Sequence, residues 1–181
     1  GTPALGERAN GDVIALGIPD VAGSERGKYL GAATAVVGSG HSAQNVVRSL
    51  ATLANEDANT RVTWLVRRDE PGQMFGGGSD DQLPERGVLG AQAAATVADG
   101  TVDLVTGFRT RQLIRDERGA WLVSLDGRKL GPFDRIVNTT GFRPDLDMLR
   151  EMLLDMDESL ESSSQLAPLI DPNFHSCGSV P

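Results

Sequence analysis

The chain has 181 residues, 39% apolar and 23% charged, an ordinary composition for a soluble globular protein with a real core. Its formal charge of −8 argues against nucleic acid or an anionic membrane as the main partner, since either favours a basic face. A single cysteine, Cys177, excludes an internal disulfide, and no apolar run approaches the ~20 residues that cross a bilayer, so a cytoplasmic protein is expected.

Residues 1–29 are rich in Gly and Pro, with Asp12 to Leu16 the one strand-like run, and read as a lead-in. The first clear strand is Ala33 to Val37, a small, β-branched, uncharged run. Gly38, Ser39, Gly40, His41, Ser42 and Ala43 follow it as a G-x-G-x-x-A turn, and Ala43 to Ala54 then repeats apolar residues at helical spacing. Strand, glycine turn and helix in that order form the context of a pyrophosphate cradle. Gly38 permits the sharp reversal, Gly40 lets backbone approach the anion, and Ala43 lets the helix lie close on the strand. The anion rests on amides at the helix N-terminus, where aligned peptide dipoles favour negative charge. Ser39 and Ser42 can add hydroxyl donors, and Ser42 is also placed to cap the helix. His41 either donates to the pyrophosphate or faces water.

Arg61 to Val66 is a second strand, apolar on both faces, which predicts a parallel strand buried between helix layers. Its tip is Arg67-Arg68, with no carboxylate before Asp69. In dinucleotide folds this tip faces the adenosine ribose, where an acidic side chain binds the hydroxyls of NAD and a basic one neutralises the 2′-phosphate of NADP. Two planar guanidinium groups suit a phosphate, so Arg67 and Arg68 point to NADP(H).

Pro71 to Asp81, with Gly72, Gly76, Gly77 and Gly78, is expected to be an irregular loop that either folds over bound nucleotide from Phe75 to Gly78 or stays a flexible surface segment. Asp80 and Asp81 read as solvated carboxylates, and no metal site is expected. Pro84 to Ala98 reads as a helix, Thr101 to Val105 as the third strand, giving a β-α-β-α-β unit with a parallel sheet. Strands near Phe108–Ile114, Trp121–Leu125 and Lys129, separated by Glu117–Gly119 and Asp126-Gly127, form an antiparallel meander. Trp64 and Trp121 fall on strands and are expected in the core. Asp134 to Asn138 is a further strand, Leu146 to Leu154 reads as a helix, and 158–181 has little periodicity. His175 and Cys177 lie in that irregular tail, where a catalytic pair is not expected.

This order of features resembles the NADPH domain of two-dinucleotide-binding flavoproteins, the flavin-containing monooxygenase-like and pyridine-nucleotide-disulfide oxidoreductase families. Thr140, Gly141, Phe142, Arg143, Pro144 and Asp145 are similar to the Ala-Thr-Gly-aromatic-x-Pro-Asp segment that ends such a domain and returns the chain to the FAD domain. The resemblance implies an NADPH-binding Rossmann-like domain over residues 30–145, with Thr140 and Gly141 beside the cofactor. It also implies that 1–29 and 146–181 are fragments of an FAD domain. The FAD glycine motif is absent from the chain, so the fragment is expected to bind NADPH without holding FAD firmly, and to be inactive alone. Two departures narrow the resemblance: Ile18 to Tyr29 holds no histidine of the monooxygenase Phe-x-Gly-x-x-x-His pattern, and no Cys-x-x-Cys dithiol exists. A stand-alone NAD(P) reductase would need a Tyr/Lys pair or a His, and Tyr29 with Lys28 precedes the turn. A non-enzymatic NADPH sensor is the third reading.

Overall fold

The computed structural model describes residues 3–70, 72–75, 84–141, 146–149, 151–157, 160 and 162–170. The chain divides into two units, residues 1–141 and 142–181. In the first, the elements run β1 (Ile14–Leu16), β2 (Ala33–Val37), α1 (His41–Glu56), β3 (Arg61–Leu65), α2 (Pro84–Ala98), β4 (Val102–Val105), β5 (Thr110–Asp116), β6 (Gly119–Ser124), β7 (Lys129–Phe133) and β8 (Arg135–Asn138). Five of these strands form one sheet in the order β1-β8-β2-β3-β4, and every neighbouring pair is parallel. The other three form the expected antiparallel meander, β5-β6-β7.

The two-residue period of a strand decides what lies on each face of the sheet. Val36 pairs with Trp64 and with Val137, and these side chains join α1 and α2 in one core. The face α1 offers is Ala43, Val46, Val47, Leu50 and Leu53, the i, i+3, i+4, i+7 spacing of an amphipathic helix, all buried. Burying each of the larger ones stabilises the unit by about 1.5–3 kcal/mol. Ala35, paired with Ile136, and Val37, paired with Leu65, point the other way. There they meet Phe108, Leu113, Leu122 and Phe133 of the meander and its approach. The central strands are thus buried on both faces, as their uninterrupted apolar character requires, but between helices and a second sheet rather than between two helix layers. Ala120 and Leu122, inward along β6, supply the meander with the apolar side that a helix layer would otherwise present.

The stretch read as a lead-in supplies the edge strand β1, in register with β8 from Ile14 opposite Ile136 to Leu16 opposite Asn138. Its first residues also reach the meander: Leu5 N–H donates to the Arg111 carbonyl at 3.0 Å, and Leu113 N–H donates to the Leu5 carbonyl at 2.8 Å. Helix α2 begins on Pro84 and stops before Gly100, whose φ of +79° is the left-handed turn that ends it.

The second unit contains a 3-10 turn at Asp147–Leu149, a two-stranded antiparallel hairpin of β9 (Met156–Asp157) and β10 (Ser162–Ser163), and a short helix α3 (Ala167–Ile170). The helix expected over 146–154 is reduced to that single turn among the described residues. Met148, Met152 and Leu153 are exposed, so among the described residues of this unit the apolar spacing finds no surface to pack on, and a helix this short is marginal without packing. Among the described residues no helix is long and apolar enough to cross a membrane.

Candidate functional site

From β2 the chain steps through β3 to β4 on one side, while β8 lies on the other side of β2. The winding reverses between β2 and β8, and in open α/β sheets the crevice beyond the strand ends at such a point receives the ligand. Gly38 follows β2 and Thr139 follows β8, and the two meet there. Gly38 has φ +132°, and a Cβ on it would lie 2.6 Å from Thr139 Oγ1 and 2.8 Å from the Thr139 carbonyl oxygen. Thr139 cannot retreat, because its N–H and its hydroxyl both donate to the Val37 carbonyl at 2.9 Å.

Gly40 is the N-cap of α1, with φ −82° and ψ 179°, and a Cβ on it would meet nothing within 4 Å. Among the described residues its bareness therefore answers to no neighbour; it leaves the turn open on that side. The first intrahelical bond of α1 runs from Gln44 N–H to Gly40 C=O at 3.1 Å, so the amides of the first turn have no acceptor within the helix. Their aligned dipoles favour an anion at this end, and no acidic residue occupies the first turn. Ala43 is fully buried, which lets α1 lie against the sheet. The geometry fits a pyrophosphate. One detail differs from the expectation: Ser42 does not cap α1, because the helix begins at His41 and its cap is Gly40, which makes no side-chain cap hydrogen bond. Ser39, His41 and Ser42 are all half-buried around the turn.

At the tip of β3, Arg67 is exposed and Arg68 half-buried. The Arg68 carbonyl accepts from Gly107 N–H at 2.7 Å, and Val66, fully buried, carries the strand line up to the pair. Three residues before Arg67 stands Trp64, expected only as core and found to do more. It is fully buried, its indole Nε1–H donates to the Gly38 carbonyl at 2.7 Å, and its ring packs edge-on against Phe75 with centroids 5.9 Å apart. Gln44, also buried, donates its side-chain amide to the Met74 carbonyl. Helix α2 passes so close to this segment that a Cβ on Gly90 would run into the Phe75 carbonyl oxygen. Phe75 is thus held inward; Gly76 to Gly78 lie outside the described residues.

Trp64→Phe tests the indole bond, since it keeps the ring and removes the donor. Leaving the Gly38 carbonyl without its partner is expected to weaken NADPH and NADH alike, by about 1–2 kcal/mol, in titrations of both nucleotides.

At the exit from β8, Thr140 and Gly141 are exposed on the same rim. Asn138 Oδ1 accepts from Thr140 N–H at 3.1 Å and from its hydroxyl at 2.8 Å, while Asn138 Nδ2 donates to Glu7 Oε1 at 3.1 Å. Residues 142–145 of the exit motif, together with Asp80, Asp81, His175 and Cys177, lie outside the described residues. Tyr29 is only 2% exposed, and burial first, then the negative charge of Glu25, pushes its phenol above the usual range. Trp121, expected in the core, is half-buried on the meander, with Lys129 Nζ 4.3 Å and the Arg118 guanidinium 4.9 Å from its ring.

A parallel sheet with a glycine turn at its switch point, helices on one face and an antiparallel meander on the other, is a Rossmann-like α/β fold. No protein-family model matches the chain, and no curated protein matches its sequence. Among solved structures it is similar to the bacillithiol disulfide reductase of Bacillus cereus (TM-score 0.57, 22% identity, 87% of this chain and 41% of that one). It is similar also to the water-forming NADH oxidase of Lactobacillus brevis bound to NADH (0.60, 16%, 87% and 31%). An engineered water-forming NADPH oxidase made from that enzyme and bound to NADPH matches equally well (0.59, 16%, 87% and 31%). The chain spans less than half the length of each, and at these identities the likeness is one of fold.

Proposed function

We propose that this chain is the NADPH-binding part of an FAD-dependent oxidoreductase, with residues 30–145 as the nucleotide domain, the edge strand β1 completing its sheet, and 1–29 and 146–181 as the segments through which the chain enters from and returns to the FAD domain. One observation carries the reading: Gly38 packed against Thr139 at the switch point, beside the open amide end of α1 at Gly40. In it Gly38, Ser39, Gly40, His41, Ser42 and Ala43 surround the pyrophosphate, and Thr140 and Gly141 line the same rim. Arg67 and Arg68 take the 2′-phosphate. Support for that choice comes from the engineered oxidase, whose substitutions remove an aspartate and introduce two arginines and which is bound to NADPH.

NADPH held by these residues would supply a hydride from nicotinamide C4 to the flavin of the parent chain, leaving NADP+. The chain's own part is to bind and orient: backbone amides and guanidinium groups hold the phosphates, and the cofactors carry the chemistry. With a single cysteine in the chain, no dithiol relay passes through this domain. Burial of Tyr29, the one tyrosine, takes away the Tyr/Lys pair that a stand-alone reductase could use.

Titration followed by nicotinamide fluorescence is expected to show NADPH bound more tightly than NADH; a preference for NADH, or no binding of either, overturns the reading. The flavin half is tested on the full parent chain, where NADPH should bleach flavin absorbance under anaerobic conditions. An FAD glycine motif upstream in the parent gene is required by this reading and by neither a stand-alone reductase nor a nucleotide sensor.

A further inference from the structure

The turn between β6 and β7 brings Arg128 from the antiparallel meander to the rim that carries the tip of β3. Every arm of its guanidinium is engaged. Nε donates to Asp126 Oδ2 at 2.9 Å, Nη1 to the Thr106 carbonyl at 3.2 Å, and Nη2 to the Gly107 carbonyl at 2.5 Å. The group also lies over the Phe108 ring, 5.5 Å from its centroid. Asp126 is itself held by the Ser124 hydroxyl and then by Arg128, which keep its carboxyl below the ordinary carboxylate range and therefore charged.

What Arg128 clamps is the loop that holds the Arg pair. Gly107 N–H donates to the Arg68 carbonyl at 2.7 Å, and Phe108 N–H donates to the Val66 carbonyl at 2.9 Å, so the main chain on both sides of Arg67 hangs on residues 107–108. Gly107 has φ +62°, and the position of its missing Cβ lies 2.6 Å from Asp69 Oδ1 and 3.6 Å from Arg128 Nη2. The first carboxylate after the Arg pair thus lies against this glycine, with a guanidinium close by. A free carboxylate near the ribose would repel a 2′-phosphate and favour NAD.

We propose that Arg128 is a positioning residue for nucleotide selectivity: by clamping the 106–108 loop it fixes the main chain of Arg68 and keeps Asp69 against Gly107, so that the tip of β3 presents arginine rather than carboxylate to the adenosine ribose. The inference rests on the NADPH reading above. It assigns part of the selectivity to the meander, a layer that lies outside the β-α-β unit carrying the glycine turn.

The test measures dissociation constants for NADPH and NADH, with melting temperatures, for the wild-type chain, Arg128→Lys, Arg128→Met and Arg128→Met with Asp69→Asn. Lysine cannot hold two carbonyls and a carboxylate in one plane, so both single variants are expected to weaken NADPH about tenfold while NADH changes by less than about twofold. Adding Asp69→Asn is expected to restore most of the loss. Equal losses for both nucleotides mean a merely structural role and overturn the inference, as does an unchanged NADPH-to-NADH ratio. A fully wild-type Arg128→Lys overturns it too, since charge alone would then suffice. In all these cases the wild-type preference for NADPH stands; a wild-type chain without that preference overturns the underlying reading as well.

Discussion

Replacing Arg67 and Arg68 together by serine is expected to raise the NADPH dissociation constant by about two orders of magnitude and to leave that of NADH within about threefold. The two cofactors share everything except the 2′-phosphate, so the glycine turn and the adenine contacts cancel in the comparison. A charge-assisted, bidentate contact to phosphate contributes about 1.5–3 kcal/mol, and the pair stands on a strand whose end is stitched to the next loop through Gly107 and Phe108. Arg67 is exposed, so its share is screened by salt; Arg68 is half-buried and keeps more of its effect. Calorimetric titrations at two ionic strengths check both points. NADPH affinity should fall with salt in the wild type and lose most of that dependence in the variant. Equal weakening of NADPH and NADH would remove the ribose tip from the site.

Gly38→Ala is expected to cost about 3 kcal/mol of stability, to lower the melting temperature by about 10 °C and to abolish binding of both nucleotides. Two penalties coincide at this position. A φ of +132° is rarely adopted by residues with a side chain, and the new methyl would press on the hydroxyl and the carbonyl of Thr139 at 2.6 and 2.8 Å. Thr139→Ala added to it relieves the hydroxyl contact and leaves the backbone one, so only partial recovery is expected. The contrast is Gly40→Ala, where a methyl meets no atom of the described residues. There, circular dichroism and melting should be nearly unchanged while nucleotide affinity falls. If both glycine variants behaved alike, their division into a packing glycine and a ligand-facing one would be wrong.

Much of this was legible in the chain itself because the relevant signals are local. The strand from Ala33 to Val37, the glycine turn, the amphipathic spacing of α1 and the hairpin glycines Gly119 and Gly127 each express backbone preferences of a few consecutive residues. Where the outcome depended on what a segment packs against, local pattern failed. Residues 146–154 carry helical apolar spacing, yet Met148 and Leu153 find no surface in their unit. The two-sided burial of β3 was readable, but not that a meander rather than a helix covers one side. Trp64 could have been suspected, since a buried indole N–H needs an acceptor, although nothing local says that the acceptor is Gly38. Arg128 gave no signal at all: its place beside Gly107 comes from the meander folding back across the sheet.

The position of β8 between β1 and β2 has a consequence for how the protein is made. Val37 and Thr139, joined in the finished site, are 102 positions apart along the chain. On a ribosome adding about 5–20 residues per second, β2 therefore waits about 5–20 s with one edge unpaired before its inner neighbour emerges. An apolar strand with a bare edge is a template for pairing with another nascent chain. A polypeptide truncated before Arg135 would keep that edge permanently, would leave β1 without its partner, and would aggregate rather than persist as a smaller nucleotide binder.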